Sequence, residues 1–287
     1  MSAQPAILHA PCPFARYLTG RLRLGADLEA VRETLRGLTI DQSIVVGLGP
    51  GLSRALGHER PELRPFPALS GVDVEVPSTQ ADLWIWLIDG APGPLVTRGH
   101  DLRSTLGPLF EFDAPIDGFK NGLTENGLGR DLTGYEDGTE NPDGEAAVEA
   151  GIASDGSSFV AVQRWRHDLD RWASFDQGEQ DLMIGRRRSD NEEIDDAPES
   201  AHVKRTAQES FDPEAWIVRR SLPWAGPDGE GLQFVAFGKS FDAFEAQLRR
   251  MAGEEDGIVD ACFRFSRPIT GGYYWCPPVT DGHLQLG

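Results

Sequence analysis

Residues 134–142 read GYEDGTENP, and this stretch is the most informative part of the chain. It combines the turn formers DG and NP with acidic side chains, so a surface loop is the simplest interpretation. A calcium loop is a second interpretation, because oxygen-bearing side chains stand at alternate positions, at Asp137, Thr139, Asn141 and Asp143. Pro142 and Val148, however, stand where an EF-hand needs its glycine and its bidentate glutamate. An EF-hand is therefore excluded.

The 287-residue chain is strongly acidic. It has 46 Asp and Glu residues against 27 Lys and Arg, which gives a formal net charge of −19. Nucleic acids and anionic lipid surfaces are bound through clustered Lys and Arg side chains. The charge therefore predicts that neither nucleic acid nor a membrane surface is a partner. In agreement, no apolar run approaches the roughly 18–20 residues that a membrane span needs.

The N-terminus and the cysteines indicate the cellular compartment. Residues 1–13 contain three prolines and no long apolar run, so they do not resemble a signal peptide. The three cysteines, Cys12, Cys262 and Cys276, include no CxxC pair. This predicts neither a disulfide framework nor a structural zinc site. We therefore expect a cytoplasmic protein.

Strand patterns alternate with amphipathic helix patterns along both halves of the chain. Two of the helices share an apolar spacing of three, four and three residues, at Leu28, Val31, Leu35 and Leu38 and at Phe241, Phe244, Leu248 and Met251. Residues 151–157, which are rich in Gly, Ser and Asp, separate the two halves. We therefore predict two similar α+β units, residues 1–152 and residues 153–287.

Local patterns also predict individual elements. The expected strands lie at residues 17–24, 43–46, 83–88, 159–165, 215–219 and 232–237 and around 262–265. The expected helices lie at residues 27–39, 100–111, 145–150, 167–175 and 179–187, and a last helix follows a cap at Ser240. Residues 188–200 carry six acids, so we expect a solvated loop there.

Six histidines are candidates for metal binding or proton transfer. They are His9, His58, His100, His167, His202 and His283. No HxH or HxxxH pair is present, so a site with several histidine ligands finds no support. A haem group needs only one protein ligand, which a single histidine supplies.

Several motifs in a fixed order are similar to those of one family. They are GYEDGTENP at residues 134–142, GRR at 185–187 followed by SDNEE and SAHVKR, IVRRSLP at 217–223, GLQF at 231–234 and DACFRF at 260–265. Together they resemble the B-type dye-decolorizing peroxidases over roughly residues 130–275.

The resemblance implies a fold and a function. The fold is α+β, with two ferredoxin-like halves that form a dimeric α+β barrel and with haem in the C-terminal half. The implied function is a haem b peroxidase that uses hydrogen peroxide for one-electron oxidation of dyes, phenolics and similar donors. A homo-oligomer is expected. The alternative is a haem-handling protein on the same scaffold, which releases iron from haem or carries or senses haem.

The resemblance also implies roles for individual residues. His202 matches the iron ligand, and Asp260 matches the acid that supports it. Asp137 and Arg219 match the catalytic pair, because a carboxylate can act as general base and a guanidinium can stabilise negative charge. Further haem contacts are expected from Gly138, Thr139, Arg205, Arg219, Phe234 and Asp260. Ser221 is a departure, since some relatives have Asn there.

Overall fold

The structure is a computed structural model that describes residues 1–9, 12–71, 74–122, 124 and 127–287. Its strands are β1 (Phe14–Leu22), β2 (Ile44–Leu48), β3 (Leu69–Gly71), β4 (Val74–Val76), β5 (Leu83–Asp89), β6 (Phe110–Phe112), β7 (Ile116–Phe119), β8 (Gly129–Arg130), β9 (Glu136–Asp137), β10 (Ser158–His167), β11 (Val218–Arg219), β12 (Leu222–Gly226), β13 (Gly229–Gly238), β14 (Ser266–Pro268), β15 (Gly272–Cys276), β16 (Val279–Thr280) and β17 (His283–Leu284). Its α-helices are α1 (Leu28–Arg36), α2 (Pro50–Ala55), α3 (Pro92–Leu106), α4 (Gly144–Gly151), α5 (Leu169–Ala173), α6 (Gln177–Ile184), α7 (His202–Thr206) and α8 (Asp242–Met251). Short 3-10 helices lie at Pro5–Ile7, Gln208–Ser210 and Ala261–Arg264.

Eight antiparallel strands close into a barrel in the order β13, β12, β7, β1, β5, β2, β15 and β10, after which β10 pairs with β13 again. The first four barrel strands in the chain are β1, β2, β5 and β7, and they lie side by side in the order β7, β1, β5, β2, which is 4-1-3-2 in chain order. The last four are β10, β12, β13 and β15, and they lie in the order β15, β10, β13, β12, which is again 4-1-3-2. In each set a helical segment follows the first strand and another precedes the fourth, which is the ferredoxin-like arrangement. The predicted α+β fold with two ferredoxin-like halves is confirmed.

Alternate side chains of the barrel strands pack on opposite faces, as strand geometry requires. One set, which includes Tyr17, Trp84 and Trp86, packs together inside the barrel. The other set includes Leu18 and Ile85 and packs against apolar side chains of the surrounding helices. Strand β5 is therefore buried on both faces, which explains its continuous apolar sequence.

The strand predicted around residues 262–265 is wrong. These residues belong to the 3-10 helix Ala261–Arg264, and strand β14 begins only after it. The Asp260 carboxylate accepts a hydrogen bond from the Cys262 N–H at 2.8 Å, which begins the helical turn. Such a local side-chain bond competes with strand formation.

Two other local predictions also need correction. His167 is the last residue of β10 rather than the start of a helix, and the following helix α5 is capped by Asp168. Helix α8 has Phe241, not Ser240, at its N-cap position. The Ser240 hydroxyl still accepts a hydrogen bond from the Asp242 N–H at 3.2 Å. Across the described ranges, no helix combines the length and the apolar character that crossing a membrane demands.

Candidate active site

A cavity lies between the outer face of strands β10 and β13 and the helices that cover it. Its wall includes Asp131 and Asp137 from the β8–β9 hairpin, Gln163, Trp165 and His167 from β10, Arg219 from β11, Leu232 and Phe234 from β13, His202 from α7, and Gln247, Leu248 and Met251 from α8. Ligand sites are mostly apolar with a few polar groups. The lining of this cavity therefore suits a mainly apolar ligand that also carries polar atoms.

His202 begins helix α7 and is held from behind by Asp260. Its Nδ1 lies 2.8 Å from Asp260 Oδ2, and the Asp260 residue is only 1% exposed. A carboxylate can only accept here, so Nδ1 carries the proton and Nε2 keeps a free lone pair. Burial lowers the pKa of His202, but the charge and hydrogen bond of Asp260 outweigh it, so the pKa is raised. The arrangement is that of a histidine prepared to bind a metal through Nε2.

Asp137 and Arg219 line the same cavity from two different elements, β9 and β11. Burial raises the pKa of Asp137; the positive charge of Arg219 opposes this rise, and the negative charge of Asp131 adds to it. A carboxylate with a raised pKa is a better proton acceptor than an ordinary aspartate. The pair thus combines a base with a permanent positive charge.

The other two carboxylates of the cavity wall already have partners. Asp131 accepts hydrogen bonds from Thr133 and lies 3.2 Å from His167 Nε2. Burial opposes the ionisation of Asp131, but these contacts prevail and lower its pKa to about 2. Glu136 forms an ion pair with Arg130 at 3.2 Å. Within the described part of the chain Asp137 forms no ion pair, which leaves its carboxylate available for chemistry.

Two buried donors of the cavity wall lack a partner within the residues that the structure describes. They are the Nε atom of Arg219 and the Nε2 atom of Gln163. Buried polar groups in proteins are almost always hydrogen-bonded, and these two donors are free to bond acceptor oxygens of a bound molecule. With one prepared imidazole, apolar walls and donors for oxygen, the residues present fit a haem group and a small oxygen-containing ligand.

The structure places four of the sequence-predicted site residues in the cavity wall: Asp137, His202, Arg219 and Phe234. Asp260 lies behind His202. Arg205 is turned elsewhere: its guanidinium contacts Asp256 Oδ2 at 2.7 Å and the Arg250 carbonyl at 2.7 Å. The haem contact of Arg205 stays a prediction, and the structure gives its side chain a different ion pair.

Gly138 and Thr139 are also outside the cavity wall. Gly138 has a φ of 95°, which favours glycine and turns the chain directly after Asp137. The Thr139 hydroxyl accepts a hydrogen bond from Asn191 Nδ2 at 2.9 Å. Both residues shape the loop that carries Asp137, and their predicted haem contacts stay predictions.

Sequence reasoning named His167 only as one of six candidate histidines and did not single out Gln163, although β10 places both in the cavity wall. Gln163 and His167 lie on the same face of β10 as Trp165, because alternate residues of a strand share a face. His167 also contacts Ser266 Oγ at 2.7 Å through Nδ1. The alternation alone could have grouped these side chains, but it gave no sign of which face borders a cavity.

The barrel and the site together define the class of protein. The family model described as Dyp-type peroxidase, C-terminal, matches residues 129–281, which is more than half of the chain. The chain therefore belongs to the Dyp-type peroxidase family. It is 31% identical to a dye-decolorizing peroxidase of Mycobacterium tuberculosis, over 97% of this chain and 89% of that protein. A dye-decolorizing peroxidase of Rhodococcus erythropolis is 32% identical, over 85% and 81% respectively.

Solved structures share the same fold. DypB from Rhodococcus jostii matches with a TM-score of 0.87 at 27% identity, over 97% of each chain. A variant of that protein in complex with haem matches with a TM-score of 0.88, over 99% of this chain and 98% of the other. A dye-decolorizing protein from Vibrio cholerae matches with a TM-score of 0.81 at 29% identity.

Proposed function

We propose that this protein is a haem b peroxidase that uses hydrogen peroxide to oxidise dyes, phenolics and similar donors by one electron at a time. The observation that carries the proposal is a single cavity lined by the Asp260-supported His202 and by both Asp137 and Arg219. The haem complex of the similar Rhodococcus jostii DypB supports the choice of cofactor. A haem carrier would need the histidine but not the acid and the arginine.

His202 would hold the haem iron through Nε2, and Phe234 and the other apolar wall residues would contact the macrocycle. When bound, haem supplies the redox-active iron at which peroxide is reduced. Asp260 keeps the imidazole in one tautomer and one orientation, and its negative charge makes His202 a stronger electron donor. Burial of Asp260 strengthens this interaction because the surroundings do not screen it.

Asp137 and Arg219 would handle the peroxide. The ionised Asp137 would accept a proton from one oxygen of hydrogen peroxide and return it to the other oxygen, which leaves as water. Arg219 stabilises the negative charge that develops while the O–O bond breaks. Over the full cycle one peroxide takes up two electrons and two protons and yields two waters, and two donor molecules lose one electron each.

The proposal also covers the electron donors, the oligomeric state, the cellular location and the division into domains. Dyes and phenolics as donors and a homo-oligomeric state follow the family resemblance. A cytoplasmic location is supported by the cysteines, since Cys12, Cys262 and Cys276 all lie within the described ranges and are unpaired. Residues 1–152 and 153–287 are proposed as the two domains, and each contributes four strands to the barrel.

An absorption spectrum and a dye-oxidation assay test the proposal directly. The protein, purified after expression with haem supplied, is expected to show a Soret band and to oxidise a dye only when hydrogen peroxide is added. Asp137→Asn is expected to keep the Soret band and lose most of the activity. A protein that takes up no haem, or a wild-type protein with haem but without peroxide-dependent oxidation, would overturn the proposal.

A further inference from the structure

Arg219 lies on an edge strand, so its own backbone groups need partners from outside the sheet. In the described part of the molecule, β11 pairs with β13 on one side only, and Arg219 faces Ala236. The hydrogen bond to β13 is made by the next residue, since the Arg220 N–H donates to the Val235 carbonyl at 2.8 Å. In an antiparallel ladder the N–H and C=O of alternate residues point away from the partner strand. Those of Arg219 therefore point to the open edge.

The side chain of Asn141 fills this open edge. Its Oδ1 accepts the Arg219 N–H at 2.8 Å, and its Nδ2 donates to the Arg219 carbonyl at 3.0 Å. The backbone N–H can only donate and the carbonyl can only accept, so the orientation of the amide is determined. One side chain thus makes the pair of hydrogen bonds that a neighbouring strand would make. Asn141 follows Asp137 in the same loop.

A second amide side chain joins the same two segments. Gln208 is 4% exposed; its Nε2 donates to the Glu140 carbonyl at 2.8 Å, and its Oε1 accepts the Ile217 N–H at 3.0 Å. Residues 140 and 141 are consequently joined to residues 217 and 219 through two amides. We call the side chains of Asn141 and Gln208 the amide clamp.

We propose that the amide clamp is a positioning device that holds the Asp137 carboxylate and the Arg219 guanidinium at a fixed separation. The inference rests on the proposed function, because it concerns the reaction with peroxide. The carboxylate and the guanidinium come from segments far apart in the chain, and the clamp is a direct link between them. The other end of the loop is anchored separately, where Asp131 contacts His167.

The effect on rate should exceed the effect on stability. A single hydrogen bond makes only a small net contribution to folding stability. A displacement of about 1 Å in a catalytic group can reduce the rate about 100-fold. An anchor with a purely structural role would lower the midpoint of thermal unfolding and leave the rate per bound haem unchanged.

The test uses Asn141→Leu, which removes both hydrogen bonds, and the isosteric Asn141→Asp, which removes only the donor. Gln4→Glu is the matched control, because Gln4 is a buried amide that donates to the carbonyls of Val46 and Pro277 at 2.8 and 3.1 Å, and neither partner belongs to the loop or to the cavity wall. We expect this control to lose stability and to keep the peroxide rate per haem.

The first readout needs no haem. In the haem-free protein, Asn141→Leu should speed hydrogen exchange at the Arg219 amide and leave that of Arg220, which bonds to β13, protected. The second readout is the rate constant for reaction with peroxide, measured by rapid mixing at equal haem content. We expect it to fall about 10- to 100-fold in Asn141→Leu, with the Soret band unchanged. Asn141→Asp should also lower this rate constant. It decides the question if Asn141→Leu does not fold.

A double-mutant cycle separates positioning from general damage. If Asn141 acts through Arg219, then adding Asn141→Leu to Arg219→Leu should lower the rate constant for reaction with peroxide by less than about threefold, because the two losses are not independent. Unchanged amide exchange, an unchanged peroxide rate, or the same loss with and without the arginine would each overturn the proposal. A wild-type protein that does not react with peroxide would instead refute the proposed function, and the exchange result would still decide whether the clamp exists.

Discussion

Replacing Asp137 by asparagine tests the most specific part of the proposed chemistry. Asn is nearly the same size as Asp, but it cannot accept a proton. We expect Asp137→Asn to slow the reaction of the haem-loaded protein with hydrogen peroxide and to abolish the decline of the rate at low pH. The decline should exist in the wild type because a base works only when ionised, so its contribution is lost as pH falls through its pKa.

The structure indicates how large the loss should be. Removing a general base costs about 100-fold to 10,000-fold in rate. The other two carboxylates in the cavity wall already have partners. Asp131 contacts His167 and Thr133, and Glu136 contacts Arg130. Neither is available to replace Asp137, so the loss should not fall at the lower end of this range. We expect about 1,000-fold near neutral pH.

The pH at which the rate declines gives a second and independent check. We call this decline the acid limb of the pH profile. Burial raises the pKa of Asp137, and the charge of Arg219 opposes this rise. Arg219→Leu removes that opposing charge, so it should raise the pKa of Asp137 further and move the acid limb to higher pH. It should also lower the rate at every pH, by about 100- to 1,000-fold, because a fixed positive charge is lost.

The assay is rapid mixing with peroxide across a pH series, followed by haem absorbance and normalised to haem content. Asp143→Asn is the matched control, since it makes the same change at an exposed position of the same loop. It should behave like the wild type. If Asp137→Asn retains the wild-type acid limb, Asp137 is not the base, and the proton transfer must be assigned elsewhere.

Three further predictions follow from the other side of the cavity. His202→Ala should lose most of the haem and recover a Soret band with added imidazole. His100→Ala, at an exposed position, should keep the Soret band. A normal histidine-bound spectrum in His202→Ala would contradict the ligand assignment. Asp260→Asn should raise the Fe(III)/Fe(II) potential because a neutral amide supports the imidazole less than a carboxylate, and an unchanged potential in redox titration would argue against this role. Gly185→Ala should destabilise the fold by about 1–3 kcal/mol, because Gly185 has a φ of 90° and an added Cβ would collide with Val203. Chemical denaturation measures this loss, and an unchanged midpoint would show that the backbone adapts.

Local periodicity was enough to predict the elements that bury one continuous face. The helix predicted at residues 27–39 is α1, where Val31 and Leu35 are buried at the expected spacing. The apolar run at residues 83–88 is the buried strand β5. These predictions succeed because a helix or a strand repeats its own period in the sequence whatever it packs against.

Local patterns failed where a single side chain redirected the backbone. Asp260 begins a 3-10 turn through a hydrogen bond to the Cys262 N–H, so an apolar stretch that suggested a strand is helical. The sequence pattern predicts a helix from His167, but His167 completes β10, where it pairs with Ser266 of β14. In both cases a bond or a pairing outside the periodic pattern decides the conformation.

Some features of the candidate site follow from the sequence, and others follow only from the tertiary structure. The sequence alone determined the motifs and their order, and through them the choice of Asp137, His202, Arg219 and Asp260. The tertiary structure decided that His202 and Asp260, 58 residues apart, lie in hydrogen-bond contact. It also decided that Asn141 reaches the backbone of Arg219 across 78 residues. Contacts at such separations depend on the strand register that barrel closure imposes, and no local period in the sequence records that register.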